Sequence, residues 1–225
     1  MRILQLVLLI FLTVPFAAHA DEDFYWIDAD DGSIVNNHRV PAEAESRIEL
    51  LPGIVIVGNP HGSVTLTEFY DVNCPFCRVA SPYMEQLLKQ DAKLRLILVP
   101  FPILGIPSIQ AARVELAVAQ LVSPDQFFRF HRTLDDSRGK IDGSRALAEA
   151  KAIGLDEQKV LAIANKDELA DVMTAHTRLA DALANKATPG FVIKGVAISG
   201  YPGPKAMAKM VASVERCGAV TCDNQ

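Results

Sequence analysis

The sequence predicts an α/β fold in which a block of helices interrupts a small sheet domain. Three observations predict it. Residues 64–100 read as strand, helix and strand; residues 106–186 carry helical periodicity; residues 190–215 return to two short strands and a closing helix. The length suits one domain carrying an insertion, and half of the chain is apolar, so a sizeable core is available without disulfides to replace it.

The first twenty residues are not read as part of that fold. Arg2 supplies positive charge, Ile3 to Phe16 is almost wholly apolar, and Ala18-His19-Ala20 precedes Asp21 as a cleavage site. This pattern predicts a secretory signal peptide over residues 1–20, with an uncleaved anchor as the rival reading; the apolar stretch is short for a membrane span, and no later segment approaches one. The mature chain, residues 21–225, then holds 21 basic and 27 acidic residues. That balance argues against nucleic acid as a partner, which normally calls for a basic face. All four cysteines (74, 77, 217 and 222) lie in the mature chain. Outside the cytoplasm such thiols oxidise and persist as disulfides. Three connectivities are possible, and local pairing of 74 with 77 and of 217 with 222 is the simplest.

Residues 21–52 form an N-terminal extension. Phe24-Tyr25-Trp26-Ile27 and Ile34-Val35 flank the turn signal Asp30-Asp31-Gly32, a small β unit, and a short helix is expected between Pro41 and Leu51. The extension is either an ordered cover over the core or a dimerisation arm; an exposed aromatic patch would mark the second. A short strand follows between Gly53 and Gly58, ended by the turn Asn59-Pro60-His61-Gly62.

Residues 64–70 alternate apolar and polar like a half-buried strand. Asn73-Cys74-Pro75-Phe76-Cys77 comes directly after it and opens a helix. Two cysteines at this spacing have the form of a dithiol redox site. Cys74 falls at the helix N-terminus, where unpaired N–H groups and the helix dipole favour an anion, so a thiolate is stabilised there. It is expected to be the more exposed of the two, with Cys77 one turn in. Residues 94–99 form a second strand, stopped by Pro100 and Pro102. The helix between the two strands makes them parallel with a right-handed crossover.

The helical block follows. Ile109, Ala112, Leu116 and Ala119 mark one face. Ser123-Pro124-Asp125-Gln126 is a helix start with the parts of a capping box, and Phe127, Phe130 and Leu134 continue it. A third helix spans 144–153 with Gly154 as its stop, Asp156 caps a fourth, and Asp167 opens a longer one striped by Leu169, Val172, Met173, His176, Ala180 and Leu183. His176 reads as a satisfied core histidine, and the phenylalanines at 127, 128 and 130 as core or as the floor of a peptide groove. Residues 190–193 and 196–199 then make a hairpin about Lys194-Gly195, and 204–215 a final helix.

This order is the thioredoxin fold with an inserted all-helical domain. Its parts divide as 53–100 with 187–216 for the thioredoxin-like domain, 101–186 for the insertion and 217–225 for a tail carrying the second cysteine pair. The segments Glu68-Phe69-Tyr70-Asp71-Val72-Asn73-Cys74-Pro75-Phe76-Cys77 and Ala187-Thr188-Pro189-Gly190-Phe191-Val192-Ile193 resemble the DsbA family of exported thiol:disulfide oxidoreductases. Gly58-Asn59-Pro60 and Phe101-Pro102-Ile103-Leu104-Gly105 resemble the subgroup of copper-sensitivity suppressor C and related outer-membrane thioredoxin-like proteins. The chain departs from these relatives in Ala187, in a Pro-Phe dipeptide without histidine, and in the Cys217–Cys222 pair.

The resemblance implies a periplasmic enzyme, an oxidase or isomerase, that needs no cofactor and no metal. Its partners would be unfolded or misfolded exported proteins and a membrane redox partner that recycles the dithiol, with homo-oligomers possible. Cys74 would be the nucleophile and Cys77 the resolving thiol. An X–Pro bond is trans by default, but the resemblance implies a cis Thr188–Pro189 bond facing the dithiol. It also implies that Glu68 is a buried acid beneath the sulfurs; on spacing alone Glu68 is an exposed strand residue. Arg78 either adds positive charge near Cys74 or is simply solvated. A dipeptide without histidine points to a Cys74 pKa between those of DsbA and thioredoxin, about 3.5 and 7. The competing function is copper(I) binding by the same two thiolates. A four-cysteine zinc site is a third reading. Cys217 and Cys222 are expected to form a structural clip.

Overall fold

The computed structural model describes residues 24–222, so the signal peptide expected over residues 1–20 lies outside the described residues. A six-stranded sheet runs through the middle of the domain. Its strands are β1 (Asn37–Arg39), β2 (Val55–Gly58), β3 (Val64–Tyr70), β4 (Leu94–Pro100), β5 (Gly190–Ile193) and β6 (Val196–Ser199). In space they lie in the order β1-β6-β5-β3-β4-β2. β3 and β4 are parallel, in register from Val64 opposite Leu94 to Tyr70 opposite Pro100, and helix α2 (Pro75–Gln90) makes the crossover. All other neighbours are antiparallel. β5 and β6 close through Lys194 and Gly195 at φ 47° and 75°. Two successive left-handed residues make a type I′ turn, where glycine costs nothing and which matches the twist of the strands.

Side chains along a strand alternate between faces, and the sheet is buried on both. On one face Val64, Leu66 and Tyr70 pack with Met84 of α2 and with Met207 and Met210 of α8 (Pro204–Cys217). On the other, Phe69, Ile97, Val99 and Val192 pack under α1 (Ala42–Ser46) and α7 (Glu168–Ala182). The result is a three-layer domain with the carboxyl ends of β3 and β4 at one rim.

Helices α3 (Ile106–Ala119), α4 (Pro124–Asp136), α5 (Gly143–Ala152) and α6 (Glu157–Ala164) follow and pack on one another, with α4 also against β2 and α2. Their start signals act as the sequence suggests. Ser123 and Gln126 make both halves of a capping box on α4, and the Asp142 and Asp156 carboxylates accept from the amides of Arg145 and Lys159. Two expectations need correction. The expected stripe on α3 is wrong at Ile109, which is exposed, and too narrow, since Ala111, Val114, Glu115 and Val118 are buried with Ala112 and Leu116; α4, α5 and α6 pack on this helix and leave it only a narrow open face at Ile109 and Gln110. α7 falls inside the stretch assigned to the insertion but packs on the sheet. Its Leu179 and Ala180 join Phe69 and Val192, and the ring nitrogens of His176 lie 2.8 and 2.7 Å from the carbonyl oxygens of Pro100 and Pro52. Phe127 and Phe130 are core residues rather than a groove floor.

The N-terminal extension is tied into the domain. β1 adds to β6 as an edge strand, Asp28 and Ile34 form a single bridge across the expected turn, and Ile27 and Val35 are buried in the core. α8 has no capping side chain of its own after Gly203. Asp30 supplies one from far along the chain, accepting from the amides of Lys205 at 3.0 Å and Ala206 at 2.8 Å. Those are two of the backbone donors that this helix start leaves unpaired, Pro204 having none. Asp30→Ala is expected to destabilise the protein by about 1–2 kcal/mol and to lower the melting temperature by a few degrees. An unchanged melting curve would show that this cap contributes nothing.

Candidate active site

The redox turn begins where β3 ends. Asp71 is buried, and its carboxylate accepts from the amide of Asn73 at 2.8 Å and from that of Leu104 at 2.9 Å, joining the turn to the loop after β4. The Asn73 side chain exchanges two hydrogen bonds with the backbone of Ile141 in the insertion, both at 2.8 Å. Pro75 occupies the first turn of α2, where its fixed φ suits a helix start and its missing N–H is no loss. Cys74 becomes the N-cap residue and Cys77 lies one turn on.

Both thiols are free in the structure. Cys74 is the more exposed of the two only by a narrow margin, since both are buried, at 3% and 2% exposure. The loop carrying Thr188 and Pro189 closes over Cys74, whose Sγ donates to the Thr188 carbonyl at 2.9 Å, and the Thr188–Pro189 bond is cis. What separates the two sulfurs is their electrostatics. Hydrogen bonding from the Cys77 thiol, working against burial and helped by the Thr188 side chain and the amides of Cys77 and Phe76, lowers Cys74 to about 6. Burial, the Cys74 sulfur and Glu68 push Cys77 far above the ordinary thiol range.

Arg78 does neither of the things expected of it. Its guanidinium donates to the carbonyl oxygens of Val72 at 2.8 Å, Ser137 at 3.1 Å and Gly139 at 3.0 Å, so it latches the redox turn to the insertion instead of facing Cys74. Glu68 is 3% exposed and points to the α2 side of the sheet, which excludes the exposed-strand reading. Burial pushes its carboxyl up to about 8; His131 pulls it back, while Asp135 and Cys74 push it further.

The structure also brings together groups that the sequence reading passed over. His131 of α4 is buried, with Nδ1 2.9 Å from Glu115 Oε1 of α3 and Nε2 3.2 Å from Asp135 Oδ2. The Tyr70 hydroxyl donates to the same Glu115 oxygen at 3.1 Å, and its ring meets that of His131 edge-on at 4.4 Å between centroids. A signal was present. His131 and Asp135 follow Phe127, Phe130 and Leu134 at spacings of three and four, which places charged residues on the buried stripe of a helix.

Among the described residues, no three His, Cys, Asp or Glu side chains gather as a metal-binding group. Cys217 and Cys222 are joined to each other at the end of α8, so the C-terminal clip forms and a zinc site built from all four cysteines does not. No helix among the described residues is long and apolar enough to cross a membrane. A cavity of about 550 Å³ opens on the other face of the sheet, beside Thr65, Thr67 and Glu49, away from the dithiol.

A thioredoxin family model matches residues 51–213. Among solved structures, a thioredoxin-like oxidoreductase from Silicibacter pomeroyi is 29% identical, covering 80% of this chain and 98% of its own, with a TM-score of 0.70. The thiol-disulfide exchange protein alpha-DsbA2 from Wolbachia pipientis is 25% identical over 77% of this chain and 92% of its own, with a TM-score of 0.68. The catalytic domain of ScsC from Proteus mirabilis shares the fold at 22% identity and a TM-score of 0.67, over 76% of this chain and 96% of its own. No curated protein matches the sequence.

The asymmetry of the sulfurs gives a direct expectation. In the reduced protein, one thiol should ionise with a midpoint near 6, read from thiolate absorbance or the pH dependence of alkylation, and the alkylated residue should be Cys74. A single midpoint near the free-cysteine value of about 8.5 would contradict this assignment.

Proposed function

Since the chain belongs to the thioredoxin family, as a thiol:disulfide oxidoreductase of the DsbA kind, we propose that it works in the periplasm on exported proteins. It acts as an oxidase or isomerase, with Cys74 as the exchanging sulfur and Cys77 as the resolving one. The observation that carries this reading is the divided pair: a thiol lowered to about 6 at a helix start, against one held protonated by burial one turn away.

The geometry supports a balanced sequence of steps. A substrate thiolate attacks Sγ of Cys74 in the oxidised protein, forming the mixed disulfide and breaking the bond to Cys77. The electron pair passes to Cys77 sulfur, which takes a proton from Glu68. A second substrate thiolate then attacks the substrate sulfur, forming the substrate disulfide and expelling Cys74 as a thiolate. Two electrons have moved from substrate to enzyme, and a membrane redox partner would remove them. Cys74 is a good leaving group in the last step because its thiolate is stabilised, whereas Cys77 needs the proton. The value near 6 lies between DsbA and thioredoxin at about 3.5 and 7, which supports reading the dithiol as a moderate oxidant or isomerase.

Unfolded chains suit the surroundings of the site. Phe76, 65% exposed, shares a face of α2 with the exposed Val79 and Tyr83, and Ile103 and Leu104 after β4 and Ile106 at the start of α3 are exposed as well. Apolar side chains gathered around a reactive group favour substrates whose own apolar residues are exposed.

In a refolding assay with a reduced exported protein, Cys77→Ser should accumulate the mixed disulfide and Cys74→Ser should exchange nothing. A Cys74→Ser variant that works at the wild-type rate would overturn the reading. Glu68→Gln should flatten the pH dependence of exchange around the midpoint near 8; a profile identical to wild type across pH 6–9 would remove Glu68 from the reaction.

A further inference from the structure

We propose that His131, held as an imidazolium between Glu115 and Asp135, is a positioning residue for disulfide exchange, through which the inserted helices set a positive charge against the buried acid Glu68. The proposal rests on the reading that Glu68 supplies and takes the proton of Cys77.

A neutral imidazole donates from one nitrogen only. Here each nitrogen faces a buried carboxylate, Glu115 at 2.9 Å and Asp135 at 3.2 Å. Glu115 also receives the Tyr70 hydroxyl, but the oxygens of Asp135 are buried with no aligned hydrogen bond. A neutral ring could donate to only one carboxylate and would leave the other buried without its N–H, which is costly; burial raises the Glu115 carboxyl, and the contacts from His131 and Tyr70 work against that rise. Among the described residues, no ion pair joins a lysine or arginine to either carboxylate. The adjacent Arg132 turns away to Ser81, Glu85 and Asp136, and Arg78 is taken up by backbone carbonyls. Burial alone would strip the ring of its proton, but Asp135, Glu115 and Glu68 together push it up to about 9.

The cluster reaches the dithiol through β3. Glu68 and Tyr70 are two residues apart and share a face of the strand, and the Tyr70 ring packs edge-on against His131. The charges and titratable groups around Glu68 come from every side: His131 and Asp135 from α4, the Cys74 and Cys77 sulfurs from α2, Tyr70 from its own strand and Tyr201 from the loop before α8. Tyr70 and Tyr201 are neutral and held above their ordinary range, chiefly by burial. His131 is the cation of the set, and its midpoint near 9 lies above that of Glu68 near 8, so the ring carries its charge when Glu68 begins to ionise. Removing it makes the proton on Glu68 harder to release, so the pH midpoint of any step that uses this proton moves up.

The step to follow is the resolution of a glutathione mixed disulfide on Cys74 by Cys77, which needs the Cys77 proton to leave. For His131→Gln the pH midpoint should rise by about one unit, and in a Glu68→Gln background the same substitution should produce no further shift. A His131→Gln profile that stays in place while that of Glu68→Gln moves would overturn the proposal and leave the role of Glu68 standing. A shift of equal size in both backgrounds would reduce His131 to a structural residue. A Glu68→Gln profile like wild type would bring down the acid reading, and this proposal with it. Should His131→Gln not fold, ring-nitrogen NMR of the wild-type protein decides: both nitrogens protonated at pH 7 is expected, and a neutral tautomer would overturn the proposal.

Discussion

The structure turns on how the Cys74 sulfur is stabilised at the start of α2. A thiolate needs donors and proximity to positive potential, and a helix start offers both without any charged side chain. Cys74 gains these from the amides of Phe76 and Cys77 and from the Cys77 thiol. The Thr188 carbonyl accepts the proton when the sulfur carries one. Everything nearby keeps these donors in place. Pro75 sets the first turn, Asp71 ties the redox turn to the loop after β4, and β5 delivers the Thr188 loop from the neighbouring strand.

The inserted helices are part of this arrangement rather than a separate lid. Asn73 and Arg78 fasten the redox turn to residues 137–141, and Glu115, His131 and Asp135 bring buried charge to within one aromatic ring of β3. Such a cluster is expensive to bury, and hydrophobic residues of the same volume would usually be as stable or more so. Its presence beneath a dithiol is accounted for if the charge is used. The N-terminal extension meets the domain in a similar way, through the Asp30 cap on α8 and the edge strand β1.

Much of this was legible in the residues. The strands at β3 to β6, the parallel crossover, the capping box at Ser123 and the Lys194-Gly195 turn follow from local patterns, because alternation, capping and turn chemistry act over a few residues. The pairing of Cys74 with the Thr188 loop came from resemblance alone, since 114 residues separate them. Long-range contacts of charged side chains were not legible. From the sequence Arg78 reads either as a charge near the thiolate or as a solvated side chain, and only the folded chain shows three carbonyl groups waiting for it. Glu115 and His131 meet across two helices whose relative placement no local pattern states. The burial of Cys74 was illegible for a related reason: the Thr188 loop that covers it arrives from the far end of the chain.

The central claim is that Cys74 and Cys77 form a poised, exchangeable pair, and its most direct test is the equilibrium reduction potential of that pair against glutathione, with acid trapping. A value between about −120 and −230 mV, the range of oxidants and isomerases, is what a stabilised Cys74 thiolate requires. A value below about −300 mV would mark an inert structural disulfide and contradict the account.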